Sequence, residues 1–339
     1  MIPNINNLND YVQNVSYSAN YWLVRTMGGR YYRDFIDNGF IAIGYNEITL
    51  QKLHGLNEDE KNALVELKND MAEHHQATIA QPGHAASQLL RFTRHIGLGD
   101  ILVIPSSSNQ VAICHVTGNV YECTDASGED GQCPFYKRIP IRVDKLTSRS
   151  KMSAKAQLMF NSRHPISDIT PYAAYIDNTM LDYYNKGEET HLLLKISTYS
   201  EVTASTFYSM DGLFKLAEGF CRENEIDGSA ADVTMKVQME SPGSLHFITK
   251  NKRYLGVLGA FILLINGGGL KVDINDFHID LSTDGLFKNV SEYLDRSQDR
   301  EIRQSIKQTL DSLEIKTPED YQKAVIELYK TQNEARSKY

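Results

Sequence analysis

Trp22, Arg25, Arg30, Tyr31 and Tyr45 lie within one stretch of the chain, residues 21–45, and their types suit recognition of a planar ligand. Aromatic rings stack on a flat group, and guanidinium forks hydrogen-bond its edge. Strand interiors are ordinarily filled by Val, Ile and Leu, so the chain's single Trp beside two arginines stands out. The competing reading makes Trp22 a core residue and Arg25 and Arg30 solvated turn residues. Around these side chains the pattern is an alternating strand with Trp22 and Val24, a Gly28-Gly29 turn, a short helical piece over 31–37 and an apolar strand over 40–43. That order predicts a compact βαβ-like unit.

Other chemistry-bearing clusters are weaker. Glu73, His74, His75 and His84 invite a metal, yet adjacent histidines point to different sides of a helix, and cations near a helix C-terminus need no ligand role. Cys114, His115, Cys123 and Cys133 match no common zinc spacing, and none of the four cysteines forms a C-x-x-C pair. In a reducing compartment they are expected to stay thiols. The run Gly267-Gly268-Gly269 lacks the Lys and Ser/Thr of a phosphate loop and reads as a helix stop. Ser205, Ser241 and the scattered histidines form no nucleophile and base pattern. The sequence therefore predicts no catalytic residue, no bound metal and no cofactor.

A length of 339 residues predicts two domains, and 41% hydrophobic with 23% charged residues is ordinary for globular protein. The net charge of -8 argues against sequence-independent coating of nucleic acid, which depends on many phosphate contacts. Any nucleic-acid contact must be local. Residues 1–20 are Asn-rich and polar, without the order of a signal peptide, so a cytoplasmic chain is expected. Residues 1–17 read as a flexible arm.

Acidic residues 58–60 open a helix with Leu64, Leu67 and Met71 on one face, and a second helix is expected over 84–95. Residues 101–104 read as a buried strand, 110–120 as another with Ala112, Cys114 and Val116 on one face, and 135–143 as an alternating strand. This content suits a small mixed barrel covered by helices. A helix is expected over 151–160. In the second half the patterns predict a strand over 191–198, a helix over 205–224, a hairpin around Ser241-Pro242-Gly243-Ser244 and strand-like 270–281. The apolar run 254–265 is far short of the roughly twenty residues that span a bilayer and reads as a buried helix. Three polar helices follow from residue 284, with Leu286, Val290, Leu294, Ile302, Ile306 and Leu310 placed to pair protomers.

The string Tyr21-Trp22-Leu23-Val24-Arg25, Gly28-Gly29-Arg30-Tyr31, Phe35 and Gly39-Phe40-Ile41-Ala42-Ile43-Gly44-Tyr45 resembles the opening of the PUA-like, EVE-related domain at the N-terminus of Mrr-type restriction proteins. The resemblance continues in order through Gln88-Leu89-Leu90-Arg91-Phe92, Gly99-Asp100-Ile101-Leu102-Val103-Ile104-Pro105-Ser106, His115-Val116-Thr117-Gly118 and Cys133-Pro134 to Arg138. It covers residues 18–170; the half from 171 to 339 resembles nothing so specific.

The resemblance implies an N-terminal PUA-like mixed barrel with covering helices over 18–170; the patterns of the second half add an α+β domain over 171–339 that ends in helices, so an α+β chain is expected. The resemblance also implies a reader of DNA, with a modified base, or of RNA, in restriction or defence against phage. Such a reader extrudes one base into an aromatic pocket. Trp22, Arg25, Tyr31, Tyr45 and Ser106 are expected to line that concavity, with Arg30 and Arg138 at its rim on phosphates. The partner that the resemblance implies is nucleic acid, while the apolar rows of the last helices point to a second protomer and the short 254–265 run to no membrane. The alternative that the resemblance raises is a modification-dependent nuclease, with Asp227, Asp232, Lys236 and Gln238 holding a metal; Thr234 stands where its second carboxylate belongs.

Overall fold

The structure, a computed structural model, describes residues 8–124, 126, 128, 132–197, 204–238, 243–266, 271–274, 277–280, 285–296 and 300–336. The chain is α+β and divides into two compact units. One is Ser18–Ile176; the other joins the described residues up to Tyr17 with those from Asp177 onward. The first strand, β1 (Gln13–Val15), pairs in parallel with the much later Tyr183–Lys186. Leu8 and Val12 beside it are buried. The expected flexible arm is therefore, from Leu8 onward, part of a folded unit: two apolar side chains set among asparagines give no period to read, yet both enter a core.

In Ser18–Ile176 the strands are β2 (Tyr21–Val24), β3 (Phe40–Ile43), β4 (Ile101–Pro105), β5 (Gln110–Val116), β6 (Tyr121–Glu122), β7 (Lys137–Ser148) and β8 (Ile166–Asp168). They form one mixed sheet in the order β3-β7-β5-β4-β2-β8, with β6 also on β7, curled into a half-barrel. β2 and β4 run parallel, and the other pairs are antiparallel. Every residue of β2, β3 and β4 is buried, which explains their unbroken apolar runs. The expected βαβ-like unit is corrected here. β2 lies between β4 and β8, whereas β3 sits at the opposite edge against β7, because sheet order depends on long-range pairing that local pattern does not carry.

The helices of this unit begin with α1 (Tyr32–Asn38), closed by Gly39 at a left-handed φ of 67°. α2 (Leu50–His54) is capped by Thr49, and α3 (Glu60–His74) by Asp59, with Ala63, Leu67 and Met71 buried at helical spacing. α4 (Pro82–Leu90) starts on proline and passes into a π-helical turn, Arg91–His95, where an α-helix to residue 95 is expected. Two of its polar side chains hold β8: Gln88 Oε1 accepts the Ile166 N–H at 2.9 Å, and Arg91 donates to the Ile166 carbonyl at 2.9 Å. α5 (Ala154–Gln157) is shorter than expected and ends in the 3-10 turn Leu158–Asn161.

The helix α6 (Ala173–Met180) precedes a hairpin, β9 (Tyr183–Lys186) and β10 (Glu189–Ile196). With β11 (Thr234–Gln238) and β12 (Gly243–Thr249) they make a five-stranded sheet in the order β1-β9-β10-β12-β11. Against one face pack α7 (Ala204–Glu223) and α8 (Lys252–Ile265). All residues of α8 from Tyr254 to Ile265 are buried. No helix among the described residues is long and apolar enough to cross a membrane. A small hairpin, β13 (Lys271–Ile274) with β14 (Phe277–Asp280), precedes α9 (Gly285–Arg296), α10 (Arg300–Ser312) and α11 (Glu319–Arg336). The glycine stop at 267–269, the Ser241-Pro242 turn and the start at residue 284 fall outside the described residues.

The apolar rows expected to pair protomers face inward instead. Leu286, Val290, Leu294, Ile306 and Leu310 are buried in the chain's own core, with Ile302 packed against it. α11 is seated closely because position 259 is glycine: a Cβ there would lie 2.2 Å from Tyr321 Cε2. The Tyr321 hydroxyl donates to the Gly256 carbonyl at 2.7 Å.

Candidate functional site

β2 and β4 run parallel with Leu23 opposite Val103, so their C-terminal ends emerge side by side. Arg25 and Ser106 are the first polar residues past those ends. Between them lies a cleft of about 190 Å³ whose lining includes Arg25, Thr26, Gly28, Gly29, Ser106 and Arg149, with Pro105 and Ser107 beside them.

Gly28 and Gly29 of the lining belong to a left-handed turn. Met27, Gly28 and Gly29 have φ of 51°, 67° and 94°, and the Thr26 carbonyl accepts the N–H groups of Gly29 at 3.1 Å and Tyr31 at 3.2 Å. Glycine is required at 29, where a Cβ would fall 2.2 Å from the Ser107 nitrogen. At 28 a Cβ would meet open space.

The Arg25 backbone N–H donates to the Pro165 carbonyl at 2.8 Å. Its guanidinium donates through Nε to the Ser162 carbonyl at 2.8 Å and through Nη2 to the Phe160 carbonyl at 2.6 Å. Arg149 stands 4.7 Å from the centre of the Phe160 ring, a cation–π contact. It is fixed by its backbone N–H to the Asn109 carbonyl at 2.8 Å, with the Asn109 side chain donating to Ser150 Oγ at 2.9 Å. Burial, and after it the charge of Arg149, lower the Arg25 pKa from its ordinary value. Among the described residues neither guanidinium meets a carboxylate. Two more polar atoms at the cleft are buried without a partner, Thr26 Oγ1 and Arg149 Nε. A buried polar group left so costs about 1–3 kcal/mol.

Of the residues expected to converge, the structure brings together Arg25 and Ser106. Ser106 Oγ donates to the Gln110 carbonyl at 3.0 Å and accepts the Ser108 N–H at 3.2 Å, shaping the loop after β4. Trp22 is buried in β2, its indole N–H held by Asp100. Tyr31 is buried with its ring edge-on to Phe135, centroids 5.5 Å apart. Arg30 is exposed, 5.5 Å from the Tyr31 ring centre. Tyr45 is half-buried at φ 62°, and its carbonyl accepts from Lys137 Nζ at 2.8 Å. Arg138 lies 4.0 Å from the Phe40 ring centre and donates to the carbonyls of Phe135 and Cys133. Thr26 and Arg149 went unread in the sequence. A threonine before a Gly-Gly turn was open to reading, but nothing local marks Arg149.

In the other unit, Asp232 ends a 3-10 turn, Lys236 is exposed on β11 opposite His246, and Asp227 lies at a separate cavity beside Lys250 and Arg253. Among the described residues no three His, Cys, Asp or Glu side chains are grouped to hold a metal ion. Cys114 and Cys133 are buried, and burial pushes their thiols up to about 12 and about 11. Comparison of the chain with protein-family models, curated proteins and solved structures finds no match.

Proposed function

We propose that the Ser18–Ile176 unit is a nucleic-acid-binding module that contacts DNA or RNA at the Arg25 and Arg149 cleft. The observation that carries this reading is the convergence of two guanidiniums, unopposed by a carboxylate among the described residues, in a chain of net charge -8. Arginine forks match the planar, acceptor-rich edges of bases and phosphates. A single concentrated site needs few phosphate contacts and is compatible with an acidic chain. The ordered motifs over residues 18–170, which resemble base-reading PUA-like domains of Mrr-type restriction proteins, point the same way. The rings expected to cage a base pack inside the unit, so support for the reading rests on the arginines rather than on an aromatic box.

The test is fluorescence anisotropy with the full chain and labelled single-stranded and duplex oligonucleotides, with and without modified bases. The expected result is saturable binding whose salt slope corresponds to about two phosphates, roughly 0.7–0.9 per contact. Absence of binding to every oligonucleotide at about 100 µM protein, the weak end of non-specific affinity, would reject it.

A further inference from the structure

We infer that the cleft is an oxyanion site which takes one phosphate group between Arg25 and Arg149, with the Thr26 hydroxyl as a further donor. This deepens the nucleic-acid reading of the same cleft, yet it is tested apart from it.

Three features select the ligand group. First, the polar atoms left without partners are donors or hydroxyls, and the charged ones are both cationic. Arg149 Nε carries an N–H with no acceptor, and Thr26 Oγ1 is a hydroxyl with no partner on a residue only 1% exposed. Arg25 directs Nε and Nη2 to carbonyls, while Nη1 has no acceptor among the described residues. A tetrahedral oxyanion offers several acceptors to such a set, and bidentate arginine suits phosphate.

Second, charge places the anion. Two guanidiniums share this cleft and Phe160 binds them both, through its carbonyl to Arg25 and its ring to Arg149. Holding like charges together is unfavourable unless an anion lies between them. A doubly charged phosphate monoester would balance the pair, and a singly charged diester would halve the excess.

Third, size decides between a group and a molecule. A volume of about 190 Å³ equals about six waters at roughly 30 Å³ each, below the roughly 300–1,000 Å³ of pockets that enclose a drug-sized ligand. The cleft therefore engulfs a phosphate and leaves the rest of the molecule outside. Gly29 permits the close approach of its turn to Ser107 at the edge of the cleft, since any side chain there would collide with Ser107.

The experiment titrates inorganic phosphate into the full chain and into T26V and R149M, read by 31P NMR line broadening and by calorimetry. Wild type should bind at one site. R149M should bind at least tenfold more weakly and T26V several-fold more weakly, with both variants as folded by circular dichroism as wild type. Thr26→Val separates roles: removal of an orphan buried hydroxyl leaves stability equal or higher, whereas loss of a ligand donor lowers affinity. Absence of saturable phosphate binding at about 10 mM, above a weak millimolar constant, or equal binding by wild type and both variants, overturns the inference. The same proteins are then tested with an oligonucleotide carrying a 5′-phosphate or a 5′-hydroxyl. Tighter binding of the phosphorylated strand assigns the site to the strand end; equal binding that phosphate competes away assigns it to internal diesters. Phosphate binding without oligonucleotide binding keeps the site and rejects the nucleic-acid reading. Oligonucleotide binding that R149M leaves unchanged and phosphate does not displace rejects the site and keeps the nucleic-acid reading.

Discussion

The indole N–H of Trp22 donates to Oδ2 of Asp100 at 2.8 Å, tying β2 to the turn that starts β4. The same carboxylate accepts the backbone N–H groups of Asn20 and Gly97, both at 3.0 Å, and is 5% exposed. Removing it leaves several donors unsatisfied in the interior, each costing about 1–3 kcal/mol. Asp100→Ala is therefore expected to destabilise Ser18–Ile176 by about 3 kcal/mol or more, and Trp22→Phe by about 1–2 kcal/mol. Urea titration followed by circular dichroism measures both, and a loss under about 0.5 kcal/mol in D100A would contradict the role given to the carboxylate.

Arg138 has the composition of a phosphate contact and the geometry of a brace. Its guanidinium covers the Phe40 ring at 4.0 Å and donates to two carbonyls, joining β7 to β3 and to the segment before β7. Arg138→Ala should cost about 1–2 kcal/mol through the lost cation–π and hydrogen bonds. Nucleic-acid affinity and its salt slope should stay unchanged once folded fraction is accounted for. A phosphate-contacting arginine would instead reduce that slope by about 1. The salt series on R138A thus separates the two roles.

Gly28 and Gly29 are neighbours with different constraints. Gly29→Ala places a Cβ 2.2 Å from the Ser107 nitrogen at φ 94°, so the turn must move away from the loop after β4. The expected loss is about 2–3 kcal/mol, together with loss of phosphate binding. Gly28→Ala meets open space at φ 67° and should cost only about 1–2 kcal/mol, the ordinary left-handed penalty, with the turn held in its place beside Ser107. Equal effects of the two substitutions, by thermal unfolding and phosphate titration, would show that the close approach to Ser107 is unimportant.

The elements were legible where local pattern determines them. The runs Tyr21–Val24, Phe40–Ile43 and Ile101–Pro105 are strands because every position is buried, and the apolar Lys252–Ile265 segment is a core helix. Strand order was not legible, since β2 and β3 are near in sequence and lie apart in the sheet. The same limit governs the site. Arg25 and Ser106 could be read as the polar residues ending two apolar strands, but Arg149 reaches the cleft only because β7 pairs with β5 and the next residues latch onto Asn109. Trp22 and Arg138 have the chemistry of ligand contacts, and sequence does not say that their partners are Asp100 and Phe40. Lys137, in the strand expected over 135–143, is fully buried, clasped by the Tyr45 and Ile48 carbonyls, with burial lowering its pKa to about 8.

His191 and His246 should make the unit that joins the residues up to Tyr17 with those from Asp177 onward sensitive to acid. Both are buried, with His191 Nδ1 and His246 Nε2 3.0 Å apart and the His191 ring stacked on Tyr184 at 4.5 Å. Asn178 Nδ2 lies 3.4 Å from His246 Nδ1, so that nitrogen is an acceptor and His246 Nε2–H donates to His191. This chain of bonds requires both rings neutral. Burial, and then the charges of Lys186 and Lys236 on His191 and of His191 and Lys236 on His246, lower their pKa values from 6.5 to about 4 and about 3. Among the described residues Glu189, with Oε2 3.8 Å from His191 Nε2, is the carboxylate placed to oppose the shift, and it is half exposed. Because the folded-state values are depressed, the unfolded chain binds the protons first. The stabilisation is present in full above about 6.5 and is lost as pH falls from there toward about 4 and about 3. At one to two pH units below 6.5 the loss should reach several kcal/mol, at about 1.4 kcal/mol per proton per unit. His191→Asn and His246→Asn variants control for carboxylates that also titrate. Urea midpoints from pH 7 to pH 5 should fall more steeply in wild type than in the double variant. Parallel slopes would mean that the histidine pair takes no part in the acid sensitivity of this unit.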